Sequence, residues 1–359
     1  MWTIFTNELG GQVLLAFFSS LLVALSITPL IIRASHIHGL TAKPNYRSSH
    51  QAQIANSGGI SLFISTTIAV LFFSRLLEAS NALFIIIAAL VLFFTGVVDD
   101  YKPMPVIIKF IGQFLPAILM LLSMNKEFFL VPFFIYSSEW PSWIGYCFWV
   151  LSIVAIINAY NFIDGIDALI FQFGTYANLV FGIYFLLAGE VNLAVIAFAL
   201  AGGILGIYRY NVRQHKKIFL GDSGSLLIGG LIGLFSIKFL DLSANDIYIQ
   251  RSALLLGILF VPVADFFRVI IERLTVGKSP FSADRRHIHH IVLDHFKYSH
   301  QKTSMIILVF QMLITGVFYL FNMLIGQHIV LFSLIMLLSY LIGFRFLEKH
   351  WNISVATKI

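Results

Sequence analysis

The sequence predicts an all-α fold of the polytopic integral-membrane class, and three observations carry that prediction. Of the 359 residues, 59% are hydrophobic and only 11% are charged. The mean hydropathy is +0.90, far outside the range of soluble globular chains. Apolar stretches of about 20 residues, the length that crosses the hydrocarbon at 1.5 Å rise per residue, recur along the whole chain. The expectation is a single transmembrane domain over residues 1–359, with about eleven helices, the N-terminus outside and the C-terminus cytoplasmic.

The first run, "MWTIFTNELGGQVLLAFF", has no basic residue ahead of its apolar core and carries Glu8. It therefore reads as a retained first helix entering from outside, not as a cleaved signal peptide. Apolar runs between polar breaks place spans near 11–32, 58–74, 82–98, 105–124, 140–157, 168–188, 191–208, 223–240, 252–271, 304–322 and 328–346. The run 128–137 is too short to cross and suits the outer interface, beside Trp140 and Trp143. With the N-terminus outside, only Arg75, Lys126, Lys238 and Arg251 of the 23 basic residues fall on the outer side, and a one-helix error would scramble this split. Asp99, Asp100, Asp164, Asp167, Asp222, Asp265 and Asp284 then map to the cytoplasmic side. So do all of the 11 histidines except His328. Chemistry is expected at that face. Cys147, the one cysteine, provides neither a disulfide framework nor a thiolate metal site. The net charge of +6 fits cytoplasmic anchoring loops better than nucleic acid. Paired halves with interrupted helices, as in transporters, are not evident.

Polar motifs punctuate these spans. "GVVDDYKP" puts Asp99 and Asp100 at the inner end of the third span. Carboxylates near hydrocarbon are expensive, and two adjacent ones call for a cation or a proton, with Lys102 and Lys109 close in sequence. An interfacial anchor pair is the plainer reading. "INAYNFIDGIDALI" spaces Asn158, Asn161, Asp164 and Asp167 three residues apart around Gly165. Amides and carboxylates so arranged can read a base or ribose and help hold a hard cation; a polar helix seam is the alternative. "KIFLGDSGSLLIGG" sets Asp222 among glycines before an apolar helix, where it can meet a ligand or simply cap the helix with Ser223 and Ser225. "TAKPNYRSSH" offers Lys43, Asn45, Arg47 and His50 in the first inner loop, to grip phosphate or only to anchor.

Residues 284–295, "DRRHIHHIVLDH", hold four histidines, two arginines and two aspartates. HExxH is absent, and Arg285 and Arg286 disfavour a dication while suiting phosphate oxygens, so an anion site is favoured over zinc. A basic loop without function is the remaining alternative. The inner face thus offers carboxylates for Mg²⁺ and Arg/His for phosphates, which in a membrane suggests a phosphorylated lipid as one substrate.

In order and on these loops, "VVDDYKP", "NAYNFIDGIDAL", "FLGDSGSLLIGG" and "SPFSADRRHIHH" resemble the polyprenyl-phosphate N-acetylhexosamine-1-phosphate transferases, from about Lys43 to His290. The form "RRHIHH" is similar to the branch using UDP-N-acetylglucosamine, which starts O-antigen, common-antigen or teichoic-acid linkage units. The resemblance implies transfer of a sugar-1-phosphate from a UDP-sugar to polyprenyl phosphate, release of UMP, and dependence on Mg²⁺, with Mn²⁺ as a substitute. It implies that Asp99 and Asp100 are the paired catalytic aspartates, one of them deprotonating or positioning the lipid phosphate. Asp222 would ligate the metal, and Asn158, Asn161, Asp164 and Asp167 would lie near nucleotide and metal. Phe219 would stack on uracil with Asn211 in the same pocket. Lys109 and Gln113 would form a K-x-x-x-Q element. Arg285, Arg286, His287, His289 and His290 would hold diphosphate and sugar, while Asp294 and His295 read as solvated. One departure stands out: "QAQIANSGGI" replaces a proline-containing run, with an expected loss of rigidity. The implied setting is the inner membrane of a bacterium, with a homodimer as a candidate assembly. Competing readings are the phospho-N-acetylmuramoyl-pentapeptide transferase branch, an intramembrane zinc hydrolase, and a proton-coupled transporter.

Overall fold

A computed structural model describes residues 8–42, 53–79, 81–124, 142–242, 248–280, 284–325 and 328–350. Residues 43–52, which include Lys43, Asn45, Arg47 and His50, and the run 128–137 lie outside the described residues. The described helices are α1 (Glu8–His38), α2 (Gly58–Phe73), α3 (Ala82–Tyr101), α4 (Val106–Leu122), α5 (Ser142–Ile163), α6 (Leu169–Leu187), α7 (Val191–Asn211), α8 (Asp222–Asp241), α9 (Tyr248–Thr275), α10 (Ile288–Phe296), α11 (His300–Ile325) and α12 (Ile329–His350). Every apolar run expected to span is helical. Among the described residues, 8 helices are long and apolar enough to cross a membrane, and Gly58–Phe73, Val106–Leu122 and Leu331–Phe346 are shorter apolar helices. The non-helical exception is a two-residue antiparallel pair, β1 (Thr41–Ala42) with β2 (Ile54–Ala55).

The described residues form two compact units, α1–α8 and α9–α12. In the first, α8 is the axis: α2, α3, α4, α5 and α6 all pack on it, and its apolar window is 94% buried. Its sequence explains this position, since Gly224, Gly229, Gly230 and Gly233 let neighbouring backbones approach closely. The first turn of α8 is pinched hardest. Cβ atoms added at Gly59 on α2 or Gly96 on α3 would collide with the backbone of residues 222–224. That turn carries Asp222, so these glycines determine where the aspartate stands.

In the second unit, Pro262 sits inside α9. Having no N–H, it leaves the Ile258 carbonyl without its helical donor. Gln311 of α11 repairs the break: its Nε2 donates to Ile258 O at 3.0 Å and to Gly257 O, and its Oε1 accepts from Val261 N at 3.0 Å. In hydrocarbon a freed carbonyl has no water to turn to, so this amide ties α9 to α11.

Candidate active site

The α1–α8 unit gathers its polar groups at one end, where α3, α5 and α7 finish and α4 and α8 begin. Asp100, in the last turn of α3, reaches the N-terminus of α8. Its Oδ1 accepts from Asp222 N at 2.7 Å and Asn56 Nδ2 at 2.9 Å. Its Oδ2 accepts from Ser223 N at 3.0 Å and Ser223 Oγ at 2.7 Å. Helix N-termini leave N–H groups unpaired, and an anion there also meets the favourable end of the helix dipole. Asp100 therefore acts as a cap supplied by another helix. Gly221 makes the approach feasible: its φ is +76° and a Cβ there would stand 2.6 Å from Asp100 Oδ2.

Asp99 behaves differently. Its Oδ1 accepts from Met104 N at 2.7 Å, and its Oδ2 from Lys109 Nζ at 3.0 Å. Lys109 also donates to Asp222 Oδ2 at 2.5 Å, so one ammonium bridges two carboxylates. Asn161 holds the other oxygen: its Nδ2 donates to Asp222 Oδ1 at 2.6 Å and to Ser225 Oγ at 2.8 Å. Asp222 is thus fixed from both sides.

Asp164 follows the end of α5. Burial, then the negative charges of Asp222, Asp100 and Asp167, push its carboxyl well above the usual carboxylate range, against an opposing hydrogen bond from Gly221. Such a group is short of positive charge. Asp167 is paired instead with Lys217, at 2.5 Å, and Lys217 lies 5.5 Å from the centroid of the Phe219 ring.

Two of the expected binding amides are used to build the site. Asn158 Nδ2 donates to Gln113 Oε1 at 2.6 Å and to Val154 O at 2.8 Å, and both amide side chains are buried. Asn211 accepts from Ala168 N at 2.9 Å and donates to Ile218 O at 3.0 Å. Ala168 needs that anchor, because its φ of 74° is left-handed. Asn211 thereby ties the loop after Asp167 to the strand-like residues before Asp222.

The described residues of "QAQIANSGGI" pair with the chain before Asp222. Ala55 bridges Ile218, and Phe219 N donates to Ala55 O at 2.8 Å. Gly58 N and Gly59 N donate to Phe219 O and Leu220 O at 2.9 and 2.7 Å. Asn56 is positioned between these pairs to hold Asp100. Nothing in the local sequence marked Asn56, whose partner lies 44 residues away.

In the α9–α12 unit, Arg285, Arg286 and His287 each meet a carboxylate. Arg285 forms a fork with Asp294, at 3.1 and 2.8 Å, on an exposed surface. Asp294, expected to be solvated, is exposed and is also its partner, nine residues along the chain. Arg286 is buried and lies 3.3 Å from Asp284, which also accepts a fork from Arg273 at 3.1 and 2.9 Å. Burial alone would raise the Asp284 carboxyl, but hydrogen bonds and charge from Arg273 and Arg286 outweigh it and hold it below its ordinary value. His287 Nδ1 meets Asp265 Oδ2 at 2.8 Å. His289 is fully buried and its ring nitrogens have no hydrogen-bond partner. Its ring stacks on His287, with centroids 5.6 Å apart. Burial, then His290 and His287, depress it well below the ordinary histidine value, while burial, Arg285 and His287 bring His290 to about 4. Both rings are therefore neutral near pH 7 and present acceptor nitrogens. The sequence held an unused signal here: Asp265, Arg268 and Glu272 recur at helical spacing in an otherwise apolar run.

No group of three His, Cys, Asp or Glu side chains among the described residues is arranged to hold a metal by itself. That geometry does not fit an all-protein zinc cage. Mg²⁺, by contrast, binds proteins through one or two carboxylates together with water and substrate phosphates. The charge-deficient Asp164 and the clamped Asp222 are the carboxylates suited to it.

Comparison with known proteins identifies the family. The glycosyl transferase family 4 profile matches residues 82–240. A probable undecaprenyl-phosphate N-acetylglucosaminyl 1-phosphate transferase of Bacillus subtilis is 32% identical over 298 residues, covering 82% of this chain and 81% of the relative. An undecaprenyl-phosphate alpha-N-acetylglucosaminyl 1-phosphate transferase of Yersinia pestis is 31% identical over 268 residues, 71% of this chain and 70% of its own length. One from Escherichia coli K12 is 29% identical over 327 residues, with 88% and 86% covered. Ordered motifs, a helical membrane fold and relatives aligned over most of both chains lead to one conclusion: this chain belongs to glycosyl transferase family 4.

Proposed function

We propose that the chain transfers N-acetylglucosamine-1-phosphate from UDP-N-acetylglucosamine to undecaprenyl phosphate. A phosphate oxygen of the lipid attacks the β-phosphorus of the UDP-sugar. A lipid diphosphate-sugar forms, and UMP departs with the electron pair of the broken P–O bond. The observation that carries this reading is the clamped Asp222, held by Lys109 and Asn161 at the capped start of α8. Phosphoryl transfer asks chiefly for alignment and charge neutralisation, and a fixed carboxylate beside a lysine serves both.

Each residue then has a task. Asp100, with both oxygens occupied by four donors, positions the α8 turn. Asp99, held by Met104 N and Lys109, meets fewer donors than Asp100 and is the one of the pair assigned to orient the lipid phosphate. Lys109 keeps Asp99 and Asp222 together and offsets their repulsion. Mg²⁺, or Mn²⁺ in its place, would be held by Asp222 with Asp164 and would neutralise the diphosphate. Lys217 and Asp167 flank Phe219 where the uracil would stack. Arg285 can exchange its exposed Asp294 partner for a phosphate, and neutral His289 and His290 would accept from sugar hydroxyls or the amide. The chain is read as a single transferase domain with eleven spans, the N-terminus outside and the active site at the cytoplasmic face of a bacterial inner membrane. The product would feed O-antigen, common-antigen or teichoic-acid linkage synthesis.

The test is turnover by purified protein in nanodiscs. Undecaprenyl phosphate and a panel of UDP-sugars, including UDP-N-acetylmuramoyl-pentapeptide, are supplied and UMP is followed. UMP release with UDP-N-acetylglucosamine, lost on chelation of Mg²⁺ and in a folded Asp222→Asn variant, is expected. Full turnover in Asp222→Asn, or activity that follows stoichiometric zinc, would overturn the assignment.

A further inference from the structure

Asp265, which the mechanism above does not use, meets His287 and is in turn held by Tyr340. Asp265 on α9 is 1% exposed, and His287 is 6% exposed. One oxygen of Asp265, Oδ2, meets His287 Nδ1 at 2.8 Å. The other, Oδ1, accepts from Arg268 Nη2 at 2.7 Å, Arg268 Nε at 3.2 Å and Tyr340 Oη at 3.2 Å. The Ile288 N–H, at the start of α10, points between both oxygens at 3.2 and 3.3 Å. Arg268 extends the cluster: it donates to Glu272 Oε1 at 2.6 Å and to the Arg286 carbonyl at 2.6 Å, and lies 3.6 Å from the Phe344 ring centroid. One carboxylate therefore joins α9, the loop before α10 and α12.

An ionisable cluster inside a membrane helix is expensive and by default has a purpose. Here the chemistry identifies it. A carboxylate against Nδ1 requires a hydrogen on that nitrogen, so the neutral ring is restricted to the Nδ1–H tautomer and its plane is fixed. Tyr340 and Arg268 in turn fix the carboxylate.

We propose that Asp265, oriented by Tyr340, is a positioning residue that sets the tautomer and direction of His287 for a nucleotide-sugar diphosphate. This rests on the reading of the histidine loop as the UDP-sugar site. The contribution is to substrate binding through His287, so Asp265→Asn should raise KM for UDP-N-acetylglucosamine roughly 10-fold, as loss of a charge-assisted partner does. Its kcat should change less than about 3-fold, since alignment at the Asp222 end is untouched. KM for undecaprenyl phosphate should not change.

The deciding experiment is a double-mutant cycle in nanodiscs, with KM for each substrate measured in wild type, Asp265→Asn, His287→Ala and the double variant. If Asp265 acts through His287, its effect disappears in the His287→Ala background. An equal KM increase in both backgrounds, or no increase in either, overturns the proposal. If His287→Ala itself leaves KM for the UDP-sugar unchanged, the histidine loop is not the UDP-sugar site and the underlying reading fails. Tyr340→Phe guards against misfolding of Asp265→Asn, since it keeps the ring packed on Phe260 and Phe344. It should raise the same KM about 3-fold, the value of one hydrogen bond, and only where His287 is present.

Discussion

Gly96→Ala is the sharpest perturbation that the packing allows. Gly96 lies on α3, four residues before Asp100, and faces the first turn of α8. An alanine Cβ there would come closer than 3.0 Å to backbone atoms of Asp222 and Ser223. Ordinary contact begins at 3.4 Å, so the turn must retreat by about 1 Å. No rotamer can relieve the clash, because the colliding atoms are main chain. Two opposing energies set the stability. Alanine in a helix interior is favoured over glycine by about 0.8–1 kcal/mol, whereas overpacking costs about 1–3 kcal/mol. The net loss is about 2 kcal/mol at most, and the protein should still fold. Turnover should suffer far more, because misplacing a positioned group by about 1 Å costs roughly 100-fold. The assay is Mg²⁺-dependent UMP release in nanodiscs, with thermal unfolding followed in parallel. Gly316→Ala on α11, where an added Cβ meets nothing within 4 Å, is the control and should keep wild-type turnover. Gly96→Ala turning over within about threefold of wild type would refute the link between the close approach and the placement of Asp222, given the roughly 100-fold expected.

Further outcomes follow from the same geometry. Asn56→Ala removes one donor from Asp100, a bond to a charged group worth about 1.5–3 kcal/mol, and should lower kcat roughly 10-fold with the fold retained; unchanged kcat would show that Asp100 needs no such support. Arg286→Ala breaks a part-buried contact with Asp284, which keeps its Arg273 fork, and should destabilise by about 1.5–3 kcal/mol in thermal unfolding. Arg285→Ala, whose Asp294 partner is exposed, should cost under about 1 kcal/mol yet weaken UDP-sugar binding. Equal stability losses in the two arginine variants would contradict the burial difference. His290 has a folded-state value near 4, below the 6.5 of an ordinary histidine. Between those values the unfolded chain binds the extra proton, so its contribution is fully present above about pH 6.5 and is lost as pH falls toward 4. His290→Asn should flatten the unfolding midpoint over that window, and an unaltered pH profile would refute the assignment.

Hydropathy located each described span to within a few residues because crossing a bilayer needs a long apolar run, and that requirement is local in the sequence. Chemically unusual residues were legible for a related reason. Asp99, Asp100, Asp164 and Asp222 stood out because carboxylates are rare and costly next to hydrocarbon. The identity of each role was not legible. Asp99 and Asp100 are adjacent and alike, yet one faces Lys109 and the other caps α8, since successive helical positions point about 100° apart. Asn158 and Asn211 looked like ligand-binding amides, but they hold Gln113 and two backbone segments. Arg285 and Arg286 looked equivalent, and only burial separates them. The residues missed altogether, Asn56 and Tyr340, have partners 44 and 75 positions away. The sequence by itself determined a helical membrane chain with acidic and basic clusters at helix ends, because solvent transfer energies act residue by residue. Only the tertiary structure decided which partners each carboxylate meets, because that depends on which donors other helices bring within about 3 Å.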